Sequence, residues 1–185
     1  MSDAIPRLAF GELEPALADY LKPTVDRLGY FGEFFQTAGH VPDALRQFME
    51  YTKAVKSPLG DNLNEVLALS VCGALGADYE RIQHERLAQR LGFSLDWIAA
   101  AAGRPDAKTN PLNAEEALVR KLALAVIADS GHGASELVAE TNALLGSQRT
   151  IAALLQITRF MTIACVCNSL ELKLPVKSVF DSVGG

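Results

Sequence analysis

Cysteine pairs, clustered positive charge and long apolar runs are all missing or scarce in this chain of 185 residues. The three cysteines are Cys72, Cys165 and Cys167, and none belongs to a C-x-x-C pair, so we expect reduced structural thiols rather than a disulfide framework. Cys165 and Cys167 point about 200° apart on a helix and cannot chelate one ion together. We therefore predict that the protein has no metal centre.

The charge balance excludes one class of partner. Lysine and arginine total 17 against 22 acidic residues, the net charge is -5, and no basic block interrupts the sequence. Non-specific nucleic acid binding needs clustered positive charge, so we predict no nucleic acid partner.

The longest apolar-rich runs, at 66–75 and 163–167, are shorter than the about 20 residues that span a bilayer. The segment 1–7 lacks the pattern of a secretory leader. We predict a cytoplasmic protein with no membrane partner.

The remaining composition is that of an ordinary globular protein, with 49% hydrophobic and 21% charged residues. Glycine and proline separate segments of helical periodicity, and no alternating strand pattern survives between them, so we predict an all-α fold. The length suits a single domain over residues 1–185. We expect Pro23 to kink or end the first helix. The predicted helices cover 14–28, 42–55, 63–75, 78–91, 94–101, 112 or 113 to 129, 134–145 and 147–172.

Three polar residues on the third and fourth predicted helices are candidates for acid-base chemistry. Glu80 and His84 are four residues apart, so they share one helix face, and a carboxylate beside an imidazole raises its pKa and orients it. A short turn joins this helix to the preceding one, so antiparallel packing brings Glu65 towards His84. We predict that His84 transfers a proton and that Glu80 and Glu65 orient it. The alternative is a solvated ion pair worth a few tenths of a kcal/mol.

The segments 63–69, 79–84 and 91–94 together resemble the carboxymuconolactone decarboxylase and AhpD-like family. That family has a glutamate on one helix, then C-x-Y-E or C-x-x-C, then a histidine. The resemblance covers about residues 28–173 and is most specific over 63–94. It implies an AhpD-like helical domain with its core in that range, assembled as a homo-oligomer, either a trimer or a hexamer. Two helices that are apolar on most faces also favour burial against another subunit.

The redox branch of this family uses a glutamate, two cysteines and a histidine as a relay that reduces hydroperoxides. The glutamate corresponds to Glu65 and the histidine to His84, but the cysteine positions hold Ala77 and Glu80. Neither residue forms a thiolate, so that mechanism has no nucleophile here. Cys72 lies on an apolar helix, where we expect a packing role and a raised thiol pKa.

The decarboxylase branch retains the glutamate and histidine that match Glu80 and His84, and its aromatic residue matches Tyr79. We expect Tyr79 either to line the substrate pocket or to pack in the core. The resemblance implies a cofactor-free enzyme that decarboxylates, or transfers a proton on, a small carboxylated substrate. Two alternatives remain open: a hydroperoxide reductase that uses Cys72, and a non-catalytic oligomer that binds a ligand or acts as a scaffold. The nearby arginines point to different sides and define no anion pocket: Arg81, Arg86 and Arg90.

Overall fold

The computed structural model describes residues 5–105 and 107–181, so part of the N-terminal segment used for the leader prediction lies outside the described residues. Within this range all regular structure is helical and no strand is present. The prediction of an all-α fold is confirmed. A short 3-10 turn, Phe10–Glu12, precedes nine helices: α1 Pro15–Leu28, α2 Glu33–Ala38, α3 Pro42–Lys56, α4 Gly60–Ala74, α5 Asp78–Arg90, α6 Leu95–Ala102, α7 Ala114–Ala128, α8 Ser135–Leu145 and α9 Ser147–Ser169.

Side-chain caps lie at the predicted starts of two of these helices. The Ser94 hydroxyl accepts a hydrogen bond from the Trp97 backbone N–H at 3.2 Å and caps α6. At the start of α7, the Asn113 side chain accepts from the Glu116 N–H at 3.0 Å. The Glu116 carboxylate in turn accepts from the Asn113 N–H at 2.9 Å, which completes a capping box. These local bonds fix where each helix begins.

Three features differ from the predictions. The helix α1 does not end at Pro23 but continues to Leu28, because one lost backbone hydrogen bond is offset by the burial of Leu17 and Leu21. Asp78, a residue type that favours the N-cap of the helix predicted over 78–91, is instead the first residue of α5, and its carboxylate accepts from Arg81. The helix α2 has only six residues between two glycines, a pattern typical of a loop, so it was not predicted.

Helix α4 is the centre of the fold. Every residue from Leu63 to Cys72 is buried, and α4 packs against α5, α6, α7 and α9. The approach of α6 depends on Gly73, because a Cβ atom there would lie 2.3 Å from the Ala102 carbonyl oxygen. A helix that is apolar on all sides therefore has neighbours on all sides within one chain.

The expectation that every apolar stretch is too short to span a membrane is wrong for helix α9. It has 23 residues, with a mean hydropathy of 1.7 over its most apolar window, enough by length and composition alone. However, 56% of that window is buried inside the protein, where α9 packs against α3, α4 and α8. Burial in the core accounts for its apolar character.

Two apolar clusters fill the interior. The larger surrounds α4 and includes α6, α7 and the first part of α9. The smaller joins α1, α2 and the start of α3 to the last turns of α9. A cavity lies between α1, α2 and α3 on one side and α4, α5 and α9 on the other. The fold thus places residues that are distant in sequence around one internal space.

Candidate active site

The turn between α4 and α5 brings the three predicted acid-base residues together. Glu65 is completely buried, and its Oε2 atom lies 2.7 Å from Nδ1 of His84. On the other side of the imidazole, Oε2 of Glu80 lies 3.6 Å from Nε2. The second distance is an ion-pair contact rather than a hydrogen bond. Nδ1 is therefore committed to Glu65, whereas Nε2 has room for a further partner.

The two carboxylates determine the protonation state of His84. Burial alone lowers the pKa of an imidazole, but the charge and hydrogen bond of Glu65, together with the charge of Glu80, outweigh it and raise the pKa of His84 to about 9. Burial likewise raises the pKa of Glu80, yet His84 and the charge of Arg159 outweigh it and leave that pKa below its ordinary value. At neutral pH the site holds an imidazolium between two carboxylates.

A chain of buried amides holds Glu65 in place. The Asn64 Nδ2 group donates to Oε1 of Glu65 at 2.8 Å, and Nε2 of Gln156 on α9 donates to Oδ1 of Asn64. Asn64 and Gln156 are 3% and 1% exposed, so these bonds do not compete with water. Glu65 is therefore fixed before any ligand arrives.

His84 lies on the wall of the cavity, which has a volume of about 210 Å³. The Phe160 ring packs edge-on against the imidazole, with 5.1 Å between ring centroids. A cavity of about 150 Å³ holds benzene, so this one fits a molecule of about one ring. Its lining comes from six helices: Thr24, Arg27 and Leu28 of α1; Phe34 and Phe35 of α2; Met49, Thr52 and Lys56 of α3; Asn64 of α4; Tyr79, Glu80, Gln83, His84, Leu87 and Arg90 of α5; and Gln156, Arg159, Phe160 and Ile163 of α9.

Arg159 is the buried cation of this cavity, and it is 8% exposed. Its Nε group donates to the Thr52 hydroxyl at 3.0 Å. The guanidinium carbon lies 4.5 Å from the centre of the Phe160 ring and 5.5 Å from that of Phe48. Burial lowers the pKa of Arg159, and the nearby Glu80 opposes that shift. Sequence reasoning missed Arg159 and Gln156, because α9 carries several other polar residues and local sequence does not show which of them are buried.

Tyr79 has both of the locations that the sequence analysis left as alternatives, the cavity wall and the apolar core. It lines the cavity, and it also belongs to the smaller apolar cluster. Its hydroxyl oxygen accepts a hydrogen bond from the Phe34 backbone N–H at 3.2 Å, and burial raises its pKa. Gly32 permits this contact, because a Cβ atom there would lie 2.5 Å from that oxygen. Tyr79 thus ties α5 to α2 across the cavity.

The described cavity wall contains no thiol. Cys72 is completely buried and packs with Ala77 and Ala164. Burial, with a contribution from the charge of Glu80, raises its pKa well above the ordinary value. Cys167 is also buried with a raised pKa, whereas Cys165 is exposed. Both buried thiols are therefore kept neutral, the form that does not attack a peroxide.

The expectation that the three arginines of α5 point to different sides is wrong for Arg86 and Arg90, which are four residues apart and line one small pocket together. Arg81 pairs with Asp78 and with the buried Glu85. Arg86 donates to the carbonyl oxygen of Lys177 in the C-terminal segment at 3.3 Å. Of the three, only Arg90 lines the cavity.

No protein-family model matches the chain, and no curated protein matches it in sequence. Several solved structures are similar in fold, and three of them follow. An uncharacterised peroxidase-related protein with an alkylhydroperoxidase AhpD core, from Ralstonia eutropha JMP134, is 14% identical with a TM-score of 0.80, over 92% of this chain and 91% of the other. A peroxidase-related protein from Silicibacter sp. TM1040 is 14% identical with a TM-score of 0.77, over 94% of each chain. A protein of unknown function from Agrobacterium tumefaciens, whose name suggests an antioxidant defence protein AhpD, is 18% identical with a TM-score of 0.64, over 76% of this chain and 96% of the other. At these identities the similarity shows the fold, which is the AhpD-like helical fold.

Proposed function

We propose that this protein is a cofactor-free acid-base enzyme that acts on a small carboxylated molecule, by decarboxylation or by proton transfer at carbon. His84 is the proton donor and acceptor, Glu65 and Glu80 orient it, and Tyr79 lines the substrate pocket. One observation carries the proposal: an imidazole at a cavity wall has Nδ1 fixed by a fully buried carboxylate, while Nε2 has no hydrogen bond among the described residues. That arrangement is typical of a general acid-base histidine.

The chemistry needs only groups that line the cavity. In the decarboxylation of a β-keto-type acid, the carbon–carbon bond to the carboxylate breaks and carbon dioxide leaves. The electron pair passes into the neighbouring carbonyl as an enolate, and the His84 imidazolium donates its Nε2 proton to the carbon. Solvent then restores the proton on His84. The pKa of about 9 keeps the imidazole protonated at neutral pH, which suits it to act first as an acid.

A thiol peroxidase is the competing function suggested by the names of the similar structures. The described residues offer it little support. Positions 77 and 80, where the redox branch has cysteines, hold a buried alanine and a carboxylate. Cys72 has no solvent exposure and a raised pKa. A peroxidatic cysteine needs the opposite, an accessible thiolate.

We also propose that the enzyme works as a homo-oligomer, a trimer or a hexamer. The outer side of α9 carries large apolar residues that no other part of the described chain covers: Ile151, Leu155 and Val166, which are 54%, 41% and 37% exposed. Grouped apolar exposure of this kind marks an interface. Sedimentation velocity across a range of protein concentrations measures the state, and a concentration-independent monomer contradicts it.

The function is tested by measuring turnover of a panel of carboxylated lactones and β-keto acids. Turnover is detected as the release of carbon dioxide. We expect activity in the wild type and a loss of about 10²-fold or more in His84→Gln, because positioned acid-base groups contribute about that much. Glutamine still donates to Glu65, and circular dichroism confirms that the variant folds. Cys72→Ser is the matched control and retains full activity. Equal turnover in His84→Gln and the wild type refutes the proposal.

A further inference from the structure

The cavity has a charge opposite to that of the whole protein. The chain has a net charge of -5, yet the cavity wall includes Arg27, Lys56, Arg90 and Arg159, against Glu80 as its single carboxylate among the described residues. Lys56 is already paired with Asp61 at 3.1 Å. The three arginines form no ion pair within the part of the chain that the structure describes. A cavity of this composition attracts anions.

Arg159 is the most buried of these cations and is 8% exposed. A buried guanidinium is costly unless charges or hydrogen bonds compensate it, and here the charge of Glu80 acts on Arg159 without an ion-pair contact among the described residues. Its Nε group is satisfied by Thr52, but its two Nη groups have no hydrogen-bond partner among the described residues. The planar fork of these N–H groups matches the two oxygens of a carboxylate. These N–H groups are not sealed from solvent, and they are available to donate to an anion that enters the cavity.

Phe160 sets the position of Arg159 relative to the proton donor. One ring contacts both groups, since the guanidinium carbon lies 4.5 Å from its centre and the imidazole centroid lies 5.1 Å from it. Because both groups line one cavity and contact this ring, a carboxylate bound to Arg159 would keep the adjoining carbon skeleton in the space that His84 also lines. Phe34 and Ile163 supply apolar wall for that skeleton. The arrangement favours an organic acid over inorganic phosphate, which has no apolar part.

We propose that Arg159 binds the carboxylate of a small organic acid of about one ring in size, and that Thr52 orients the guanidinium for this contact. The role of this contact in directing the substrate towards His84 rests on the proposed function, whereas the binding itself does not. Arg81 forms ion pairs with Asp78 and Glu85, and Arg86 donates a hydrogen bond to the Lys177 carbonyl. Neither arginine therefore competes for the ligand. The site would discriminate against neutral analogues of the same shape.

Isothermal titration with benzoate and with its neutral isostere benzamide tests the proposal. We expect benzoate to bind the wild type at least tenfold more tightly than benzamide. Arg159→Met should weaken benzoate at least tenfold and leave benzamide within twofold. The matched control is Arg86→Met, which removes a cation that lies outside the cavity wall and bonds the Lys177 carbonyl, and which should leave both ligands within twofold. Thr52→Val, of nearly the same shape, should weaken benzoate about threefold or more through the lost hydrogen bond.

Equal binding of benzoate and benzamide by the wild type, or no benzoate binding at all, overturns the proposal without any variant. Unchanged benzoate affinity in folded Arg159→Met also overturns it and leaves Arg159 with only an electrostatic role towards Glu80. His84→Gln separates the two proposals. If His84→Gln binds benzoate within about fivefold of the wild type, the anion site is supported. If the wild type also turns over no acid, the proposed function is refuted while the anion site stands.

Discussion

Replacing Glu65 by glutamine should release the proton that His84 holds at neutral pH. The Glu65 carboxylate is fully buried and bonds Nδ1 at 2.7 Å, whereas Glu80 lies 3.6 Å from the other nitrogen and is not hydrogen-bonded to it. Two unit charges about 4 Å apart interact by about 4 kcal/mol at an effective dielectric constant of 20, which is about 3 pKa units. Removing that charge leaves burial as the main influence, and burial favours the neutral imidazole.

We therefore expect the pKa of His84 to fall from about 9 by at least 2 units in Glu65→Gln. Nuclear magnetic resonance of ¹³C- or ¹⁵N-labelled imidazole rings measures this directly over pH 5 to 10. The rings of His40 and His132 lie in exposed turns and provide internal references. Glu85→Gln is the matched control, because Glu85 is equally buried and bonds Arg81 and Ser178 instead. A fall of less than about half a unit in Glu65→Gln refutes the reasoning.

Three other properties can be measured on the same protein. Thiol labelling of the native protein should modify Cys165 alone, and all three cysteines only after unfolding; rapid labelling of a second thiol contradicts the described burial. Tyr79→Phe leaves the buried Phe34 N–H without its acceptor and should lower the free energy of unfolding by about 1–3 kcal/mol in urea titrations, and a change near zero means that the bond is not significant. The pKa of His84 is raised from 6.5 to about 9, so the His84 contribution of about 3 kcal/mol is complete below pH 6.5 and is lost as pH rises through 9. Urea titrations at several pH values should show that loss in the wild type and not in His84→Gln, and a wild type with no loss between pH 7 and 10 contradicts it.

Local spacing was enough to predict part of the site. Glu80 and His84 had to share a helix face because they are four residues apart, and the short turn before them had to return the chain towards Glu65. The helix starts predicted at 94 and at 112 or 113 coincide with the Ser94 and Asn113 caps for the same reason, since a cap depends only on the next three residues. Features whose causes lie within one or two turns of helix are therefore readable from the sequence.

The residues that complete the site depend on contacts across the fold. Gln156 and Arg159 lie on α9, and their partners Asn64 and Thr52 lie about 90 to 110 positions earlier in the chain. Nothing in the local sequence shows which polar residues of an apolar helix will face a cavity. Pro23 illustrates the same limit, since tertiary burial of α1 decided whether the helix continued. Packing, rather than propensity, determined each of these outcomes.

The central claim is that His84 transfers a proton to and from carbon in this cavity, and deuterium incorporation from heavy water into a small keto acid measures that step directly. The assay detects proton transfer at the carbon next to the carbonyl even when no product is released. We expect the wild type to catalyse incorporation near pH 9, where about half of His84 is the neutral imidazole that can accept the carbon-bound proton, and His84→Gln to reduce the rate by about 10²-fold or more. The Cys72→Ser variant should match the wild type. Incorporation at the same rate in His84→Gln, or its loss in Cys72→Ser, contradicts the account.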